Sequence, residues 1–254
     1  MNVDSDPAVV DSEALARRWQ ELAIVSGRLA HDFRNSLTSM LGYVELALPG
    51  IADASPASHF LNKTLLGGHQ AVAWIERLEQ LARRRPVSWS PTEPARAIGQ
   101  IVPVLDLPDN VRLDCNLPQT LPRVVIDVES LQLVLRQLLD NAIEACTDGG
   151  HVRIISSVGD LMAGDCSRLY GSVRPGRHVV VIIADDGPGI TPAVQRHLLA
   201  EPFFTTKARH HGLGLPLAFL ILYNYQAGFC LAPAGPKGTE ARVYLPVEPG
   251  AGAG

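Results

Sequence analysis

At 254 residues the chain is long enough for one or two domains with buried cores, and its 46% hydrophobic and 19% charged content is that of an ordinary globular protein. A formal net charge of −4 lacks the basic footprint of a nucleic-acid binder, so no nucleic-acid partner is expected. The four cysteines (Cys115, Cys146, Cys166 and Cys230) lie far apart without metal-ligand spacing, and read as the reduced thiols of a cytoplasmic protein.

The opening MNVDSDPAVVDSE is acidic and has no basic n-region, which argues against a signal peptide; residues 1–11 are read as disordered. Asp11 and Ser12 can cap a helix that runs without proline to Leu48 and stops at Pro49-Gly50. Leu15, Trp19, Leu22, Leu29, Phe33, Leu37, Met40, Val44 and Leu48 recur at three- and four-residue spacing and give it one apolar stripe. Midway lies HDFRN, His31 to Asn35. At ~100° per residue His31 falls ~200° from Leu29, on the solvent face, and Asn35 follows one turn on. Taken alone, such a histidine is usually a surface residue with no task.

A loop of small residues (Ile51 to Ser58) leads to a second helix ending near Arg85, with a looser stripe of Leu61, Leu65, Val72, Ile75, Leu78 and Ala82. The run Arg83-Arg84-Arg85 suits a helix C-terminus. An antiparallel helical hairpin cannot enclose a core alone, so two hairpins are expected to pair as a four-helix bundle in a homodimer. The proline-rich PVSWSPTEP (Pro86 to Pro94) marks a boundary. The expected organisation is α+β in two domains: a hairpin domain over 12–86, a linker over 87–91, an α/β domain over 92–248 and a disordered tail over 249–254.

Beyond the boundary, helix is expected at Pro94 to Leu105 and Glu129 to Cys146, and again from about Leu213. Strand is expected at Val111 to Leu117, around Val124, at Val152 to Val158, Val179 to Asp185, Phe229 to Leu231 and Ala241 to Pro246, forming a mixed sheet. Asp160 to Arg177 reads as a long polar hairpin loop. From His210 to Pro236 no Asp, Glu, Lys or Arg occurs, yet Gly212, Gly214, Pro216, Asn224, Gln226 and Gly228 interrupt the run, so no membrane insertion is expected.

The chemistry concentrates between Asp185 and Leu215. A strand ends in DDGPGI, where Gly187 and Gly189 permit close approach of backbone to a ligand. Thr205, Thr206 and Lys207 supply two hydroxyls and an ammonium suited to phosphate oxygens. Gly212-Leu213-Gly214-Leu215 then opens a helix whose first N–H groups form an anion site. An acid for a base edge followed by donors for phosphates describes a nucleotide pocket. Two plainer roles stay open: Asp185 as the cap of a strand-end turn, and Asn141 upstream in QLLDNAIEA as a polar residue of a helix face.

Together these segments resemble the sensor histidine kinases, a branch of the GHKL ATP-binding family. Asn141 stands in the N box and Asp185, Gly187 and Gly189 in the G1 box. Phe203 and Phe204 fall in the F box, Gly212 and Gly214 in the G2 box, and Gly238-Thr239 in a final glycine motif. HDFRN resembles the H box. The resemblance implies a GHKL-type α/β sandwich behind a dimeric four-helix bundle, with ATP and Mg²⁺ as cofactors. It implies His31 as phosphoacceptor, Asp32 as acceptor of the other ring proton or keeper of the tautomer, and Asn35 as a group orienting water. Asn141 would bind Mg²⁺, Asp185 the adenine amino group, and Gly187 and Gly189 would flank the base. Lys207, with the backbone at Gly212, Leu213 and Gly214, would hold the phosphates.

The implied partners are a second copy and the receiver aspartate of a separate response regulator, which the kinase could also dephosphorylate. With no room for a sensor domain, its input is expected from another protein or from a signal acting on the bundle. The chain departs from the family pattern at Ser36 in place of proline, Gln137 in place of asparagine, Glu144 where many members have lysine, and His210-His211 in place of Gly-Thr. Two rival readings share the motifs: a histidine phosphotransferase of the same shape that does not use ATP, and a GHKL serine kinase.

Overall fold

A computed structural model describes residues 10–53, 55–83, 87–146, 148–207 and 211–250; the expectations for 1–9, 84–86, 208–210 (His210 among them) and 251–254 lie outside the described residues. Helix α1 (Ser12–Ala47) begins where the Asp11 carboxylate accepts the Ala14 N–H at 3.0 Å, and passes into a 3₁₀ turn at Leu48–Gly50 that contains Pro49. Helix α2 (Pro56–Ala82) is capped by Ser55, whose hydroxyl accepts the Ser58 N–H, and proline fills the first helical position. The two helices form the expected antiparallel hairpin, tied across by Arg34, which pairs with Glu79.

The apolar stripe of α1 divides between two uses. Within it Trp19 is buried, whereas Leu29, Phe33 and Met40 stay more than half exposed; the other buried apolar positions of the helix, Ala16, Ala23, Ala30 and Leu41, lie off the predicted stripe. The stripe therefore packs within the chain at Trp19 and faces outward at Leu29, Phe33 and Met40.

The rest is a two-layer α/β sandwich. Six strands, β1 (Val111–Asn116), β2 (Gly150–Leu161), β3 (Tyr170–Gly171), β4 (Gly176–Asp185), β5 (Gly228–Pro233) and β6 (Thr239–Pro246), align in the order β1-β2-β4-β6-β5-β3. Only β1 and β2 run parallel, so the sheet is mixed as expected. Alternate residues of β6 (Thr239, Ala241, Val243, Leu245) are buried while those between are not, the signature of a sheet covered on one face. The cover is α3 (Pro94–Ile101), α4 (Val128–Ala145) and α7 (Gly214–Asn224), with Leu131, Leu135, Leu139, Phe219 and Leu222 fully buried beneath them. No helix among the described residues is long and apolar enough to cross a membrane.

Three expectations are corrected. No strand forms around Val124; it makes isolated bridges with Thr92 and Val247, because the prolines at 118 and 122 leave too short an extended run to join the ladder. The helix from Pro94 ends at Ile101, and Val102–Val104, with Pro103 inside it, tightens to a 3₁₀ turn. The segment 160–177 is no bare hairpin loop. It carries α5 (Ala163–Cys166) and β3, and it grips the start of α1: Ser12 Oγ donates to the Leu169 carbonyl at 3.2 Å and accepts the Gly171 N–H at 3.1 Å.

Candidate active site

The C-terminal half of α4, the end of β4 and the chain from 188 to 215 enclose a cavity of about 370 Å³. Asn141, Asp185, Gly189, Thr205, Thr206, Lys207, Gly212 and Leu215 all line it. Gly187, Leu213 and Gly214 do not. Gly187 packs on the end of α4, where a Cβ would stand 2.6 Å from the Ala145 carbonyl oxygen; Leu213 is buried; Gly214 starts α7 against the Gln137 side chain. These three shape the walls without forming them. Phe204 lines the cavity, whereas Phe203 turns outward with φ +62°.

At one end the lining is apolar, from Leu138, Ala142, Ile183, Ile190, Val194, Leu198, Leu231 and Ala241, around the single carboxylate of Asp185. Asp185 Oδ1 accepts the N–H groups of Gly187 at 3.0 Å and Thr239 at 3.2 Å. Both bonds fall on one oxygen, so Oδ2 has no hydrogen-bond partner among the described residues and is the atom available to a ligand. Burial pushes the Asp185 carboxyl above the usual carboxylate range, and neighbouring Asp186 adds to this; the two backbone donors and the Lys207 charge pull the other way.

The other end is polar. Lys207 Nζ reaches back to α4, donating to Glu144 Oε2 at 2.7 Å and to the Asn141 carbonyl at 3.2 Å. Thr205 Oγ1 accepts the Lys207 N–H at 3.1 Å and fixes the turn that aims the lysine. Gly212 adopts φ +65° with its α-carbon folded against the Phe203 and Phe204 backbone, a position that excludes any side chain. The sequence reading missed the wall given by α6 (Pro192–His197) and the loop after it; Thr191-Pro192, a capping threonine followed by proline at the first helical position, was the available signal.

His31 stands on the solvent face of α1, its side chain 71% exposed. Its Nδ1 lies 3.4 Å from Asp32 Oδ1 and 3.5 Å from Asn35 Nδ2, so all three side chains meet at one ring nitrogen. The groove beside it is lined by Ile24, Gly27, Arg28, Asp32, Arg34, Glu79, Ala82 and Arg83, and shares no residue with the cavity on α4. Both walls of that cavity nevertheless touch the hairpin. On one side Trp19 Nε1 and Arg18 Nη1 donate to the carbonyls of Leu199 and Ala200, at 2.9 and 2.7 Å. On the other, His211 lies against Trp74 of α2, with ring centroids 5.0 Å apart and planes tilted by 40°.

Residues 126–249 match the family described as histidine kinase-, DNA gyrase B-, and HSP90-like ATPases. The sensory histidine kinase/phosphatase NtrB of Salmonella typhimurium is 27% identical over 223 residues, covering 86% of this chain and 60% of that protein. The chain spans 28%, 54% and 26% of the length of the first three curated relatives it matches. Among solved structures, full-length ShkA in complex with AMPPNP aligns over 94% of this chain and 46% of its own, with a TM-score of 0.61 at 19% identity. The histidine kinase ThkA in complex with the response regulator TrrA aligns over 94% of this chain and 66% of its own, with a TM-score of 0.59 at 18% identity.

Proposed function

We propose that the chain is a histidine kinase that moves the γ-phosphoryl group of Mg·ATP to His31 and then to a receiver aspartate of a separate response regulator, a reading supported by the ATPase family match over 126–249 and by the likeness to NtrB. The observation that carries this reading is the convergence of Asn141, Asp185, Thr205, Thr206, Lys207 and Gly212 on one cavity with an apolar end and a polar end.

In this reading the apolar end takes adenine, with Asp185 Oδ2 accepting from its amino group, and the polar end takes the phosphates. The donor set fits a hard cation there. The Asn141 side chain offers one neutral oxygen, and no cluster of three His, Cys, Asp or Glu occurs among the described residues, so phosphates and water would complete the shell, as magnesium prefers. Bound Mg²⁺ would neutralise charge on the phosphates. Lys207 and the N–H groups at the start of α7 would do the rest.

At His31, an Nδ1–H that donates to Asp32 leaves the lone pair on Nε2. Nε2 attacks the γ-phosphorus in line, the bond to the β-bridging oxygen breaks, ADP leaves with that electron pair, and Asp32 takes the Nδ1 proton. Asn35, one turn on, suits the later step in which water removes the phosphoryl group from the regulator. Because the His31 groove and the nucleotide cavity share no residue, transfer requires another placement of the ATP-binding domain against a hairpin, its own or a partner's.

The remaining assignments follow. Residues 12–86 act as the dimerisation and phosphoacceptor domain, joined by 87–91 to a catalytic domain over 92–248. The exposed Leu29, Phe33 and Met40 of α1 supply the apolar face on which a second hairpin would pair as a homodimer. Input would come from another protein or through the bundle, in the cytoplasm. Labelling from γ-labelled ATP, with the phosphoryl group located and its acid lability measured, tests the reading.

A further inference from the structure

The groups that meet at His31 Nδ1 are a carboxylate and an amide, from Asp32 and Asn35. Neither brings positive charge to a phosphoryl group arriving at the other ring nitrogen, and the Asp32 charge repels it. From His31 the groove runs toward the start of α1, past Arg28 and Gly27 to Ile24, with Glu79, Ala82 and Arg83 as the facing wall. Arg28 lies one turn before His31, at the spacing that makes two side chains neighbours on a helix face. It is exposed and, among the described residues, has no hydrogen bond or ion pair. Arg34, in the same groove, is instead committed to Glu79.

We propose that Arg28 is a further catalytic residue, whose guanidinium contacts the equatorial oxygens of the phosphoryl group as it passes to and from His31. The inference rests on the phosphotransfer reading given above and adds the cation that serves the hairpin side of the step.

Charge decides the case. As the bond from Nε2 to phosphorus forms and the bond to ADP breaks, negative charge is spread over three equatorial oxygens. Lys207 brings a cation to the polar end of the nucleotide cavity, but it stays with the ATP-binding domain. A cation on α1 stays with the group that is transferred. It serves whichever copy supplies the ATP, and serves again when the receiver aspartate takes the group. Arginine suits this task because its planar fork donates two parallel N–H bonds to phosphate oxygens while keeping its own protons. Asp32 is then free to take the Nδ1 proton on one side of the ring while Arg28 offsets the phosphoryl charge on the other.

The test uses the whole chain, γ-labelled ATP with Mg²⁺ and single-turnover labelling of His31, with AMPPNP affinity measured in parallel. Arg28→Met should slow labelling by about 10²-fold, as when one preorganised donor to a developing charge is removed. Arg28→Lys keeps the charge without the fork and should recover part of that loss. Affinity for the magnesium complex of AMPPNP should stay within about twofold in both variants, because Arg28 lies outside the nucleotide cavity. A ³¹P NMR titration of phospho-His31 then separates contact with the phosphoryl group from an effect on domain docking. A guanidinium favours the more highly charged form, so the phosphoryl group should titrate at lower pH in the unaltered chain than in Arg28→Met labelled to completion. Labelling of Arg28→Met within about threefold of the unaltered rate would overturn the inference. So would a slowed variant whose phosphoryl titration is unchanged. Both results leave the histidine-kinase reading intact, whereas an unaltered chain that acquires no label on His31 would overturn that reading and the inference with it.

Discussion

The indole Nε1 of Trp19 donates to the Leu199 carbonyl at 2.9 Å, and both residues are almost fully buried, at 1% and 2% exposure. That bond joins the helix that carries His31 to the loop whose neighbours Leu198 and Phe204 line the nucleotide cavity. The hairpin and the cavity wall are therefore one packed unit in this arrangement. Trp19→Ala removes a large buried ring and should cost about 3–5 kcal/mol at this contact; Trp19→Phe keeps most of the packing and loses the hydrogen bond, about 0.5–1.5 kcal/mol. Amide hydrogen exchange over 198–204 should quicken in that order. Protection unchanged in Trp19→Ala would mean that the contact does not hold the wall.

Removing the two central ligand groups should silence the pocket without unfolding it. Asn141→Ala and Asp185→Ala are expected to abolish autophosphorylation. Asn141→Ala should keep the circular dichroism and thermal midpoint of the unaltered chain, whereas Asp185→Ala should stay folded with a lower midpoint, because the Gly187 and Thr239 N–H groups lose their acceptor, about 1–3 kcal/mol. A folded Asn141→Ala protein that labels at the normal rate would contradict its assignment to the metal.

The raised pKa of Asp185, caused chiefly by burial, gives binding a pH dependence of known sign. A carboxyl whose folded value lies above its unfolded value contributes stability to the empty protein below the ordinary carboxylate range, and that contribution is lost as pH rises through the raised value. Adenine binding works in the opposite sense, since both backbone donors occupy Oδ1 and a proton taken up on Oδ2 removes the acceptor for the amino N–H. Affinity for Mg·ATP should therefore fall on acidification at a higher pH than an ordinary aspartate would give, as read by calorimetry across the weakly acidic range. Asp185→Asn should bind weakly and lose that dependence; an unaltered chain with pH-independent affinity there would contradict the contact.

Much of this was legible in the sequence, for physical reasons. Helix starts announce themselves through local capping, as Asp11 does by accepting the Ala14 N–H. The nucleotide cavity was legible because glycines and an acid at a strand end, then hydroxyls, lysine and a glycine-opened helix, keep their order along the chain. What the chain order hides is contact between distant segments. Nothing near Ser12 says that it will bond Leu169 and Gly171, so 160–177 read as a loop. Likewise the acid at 144 looked like a bare departure until its partner Lys207 was seen. The outward Leu29, Phe33 and Met40 were indistinguishable by spacing from the buried Trp19, because periodicity marks a face and not what covers it.

The three side chains that meet at His31 Nδ1 should separate kinetically. Asp32→Asn leaves the histidine in place and removes its proton acceptor, a loss that commonly costs about 10²–10⁴-fold in transfer. Asn35→Ala should matter less for phosphorylating His31 than for dephosphorylating the partner regulator. Single-turnover labelling and a separate phosphatase assay read the two effects. Equal losses in both assays for Asn35→Ala would contradict its assignment to the water step.

The decisive measurement is labelling of the full chain with γ-labelled ATP and Mg²⁺, alongside His31→Ala. The unaltered protein should acquire a phosphoryl group that is labile in acid and stable in base, and mass spectrometry should place it on His31. His31→Ala should bind nucleotide as before and acquire none. Acid-stable label on His31→Ala would mean that a hydroxyl is the acceptor, and the assignment of a histidine kinase would fall.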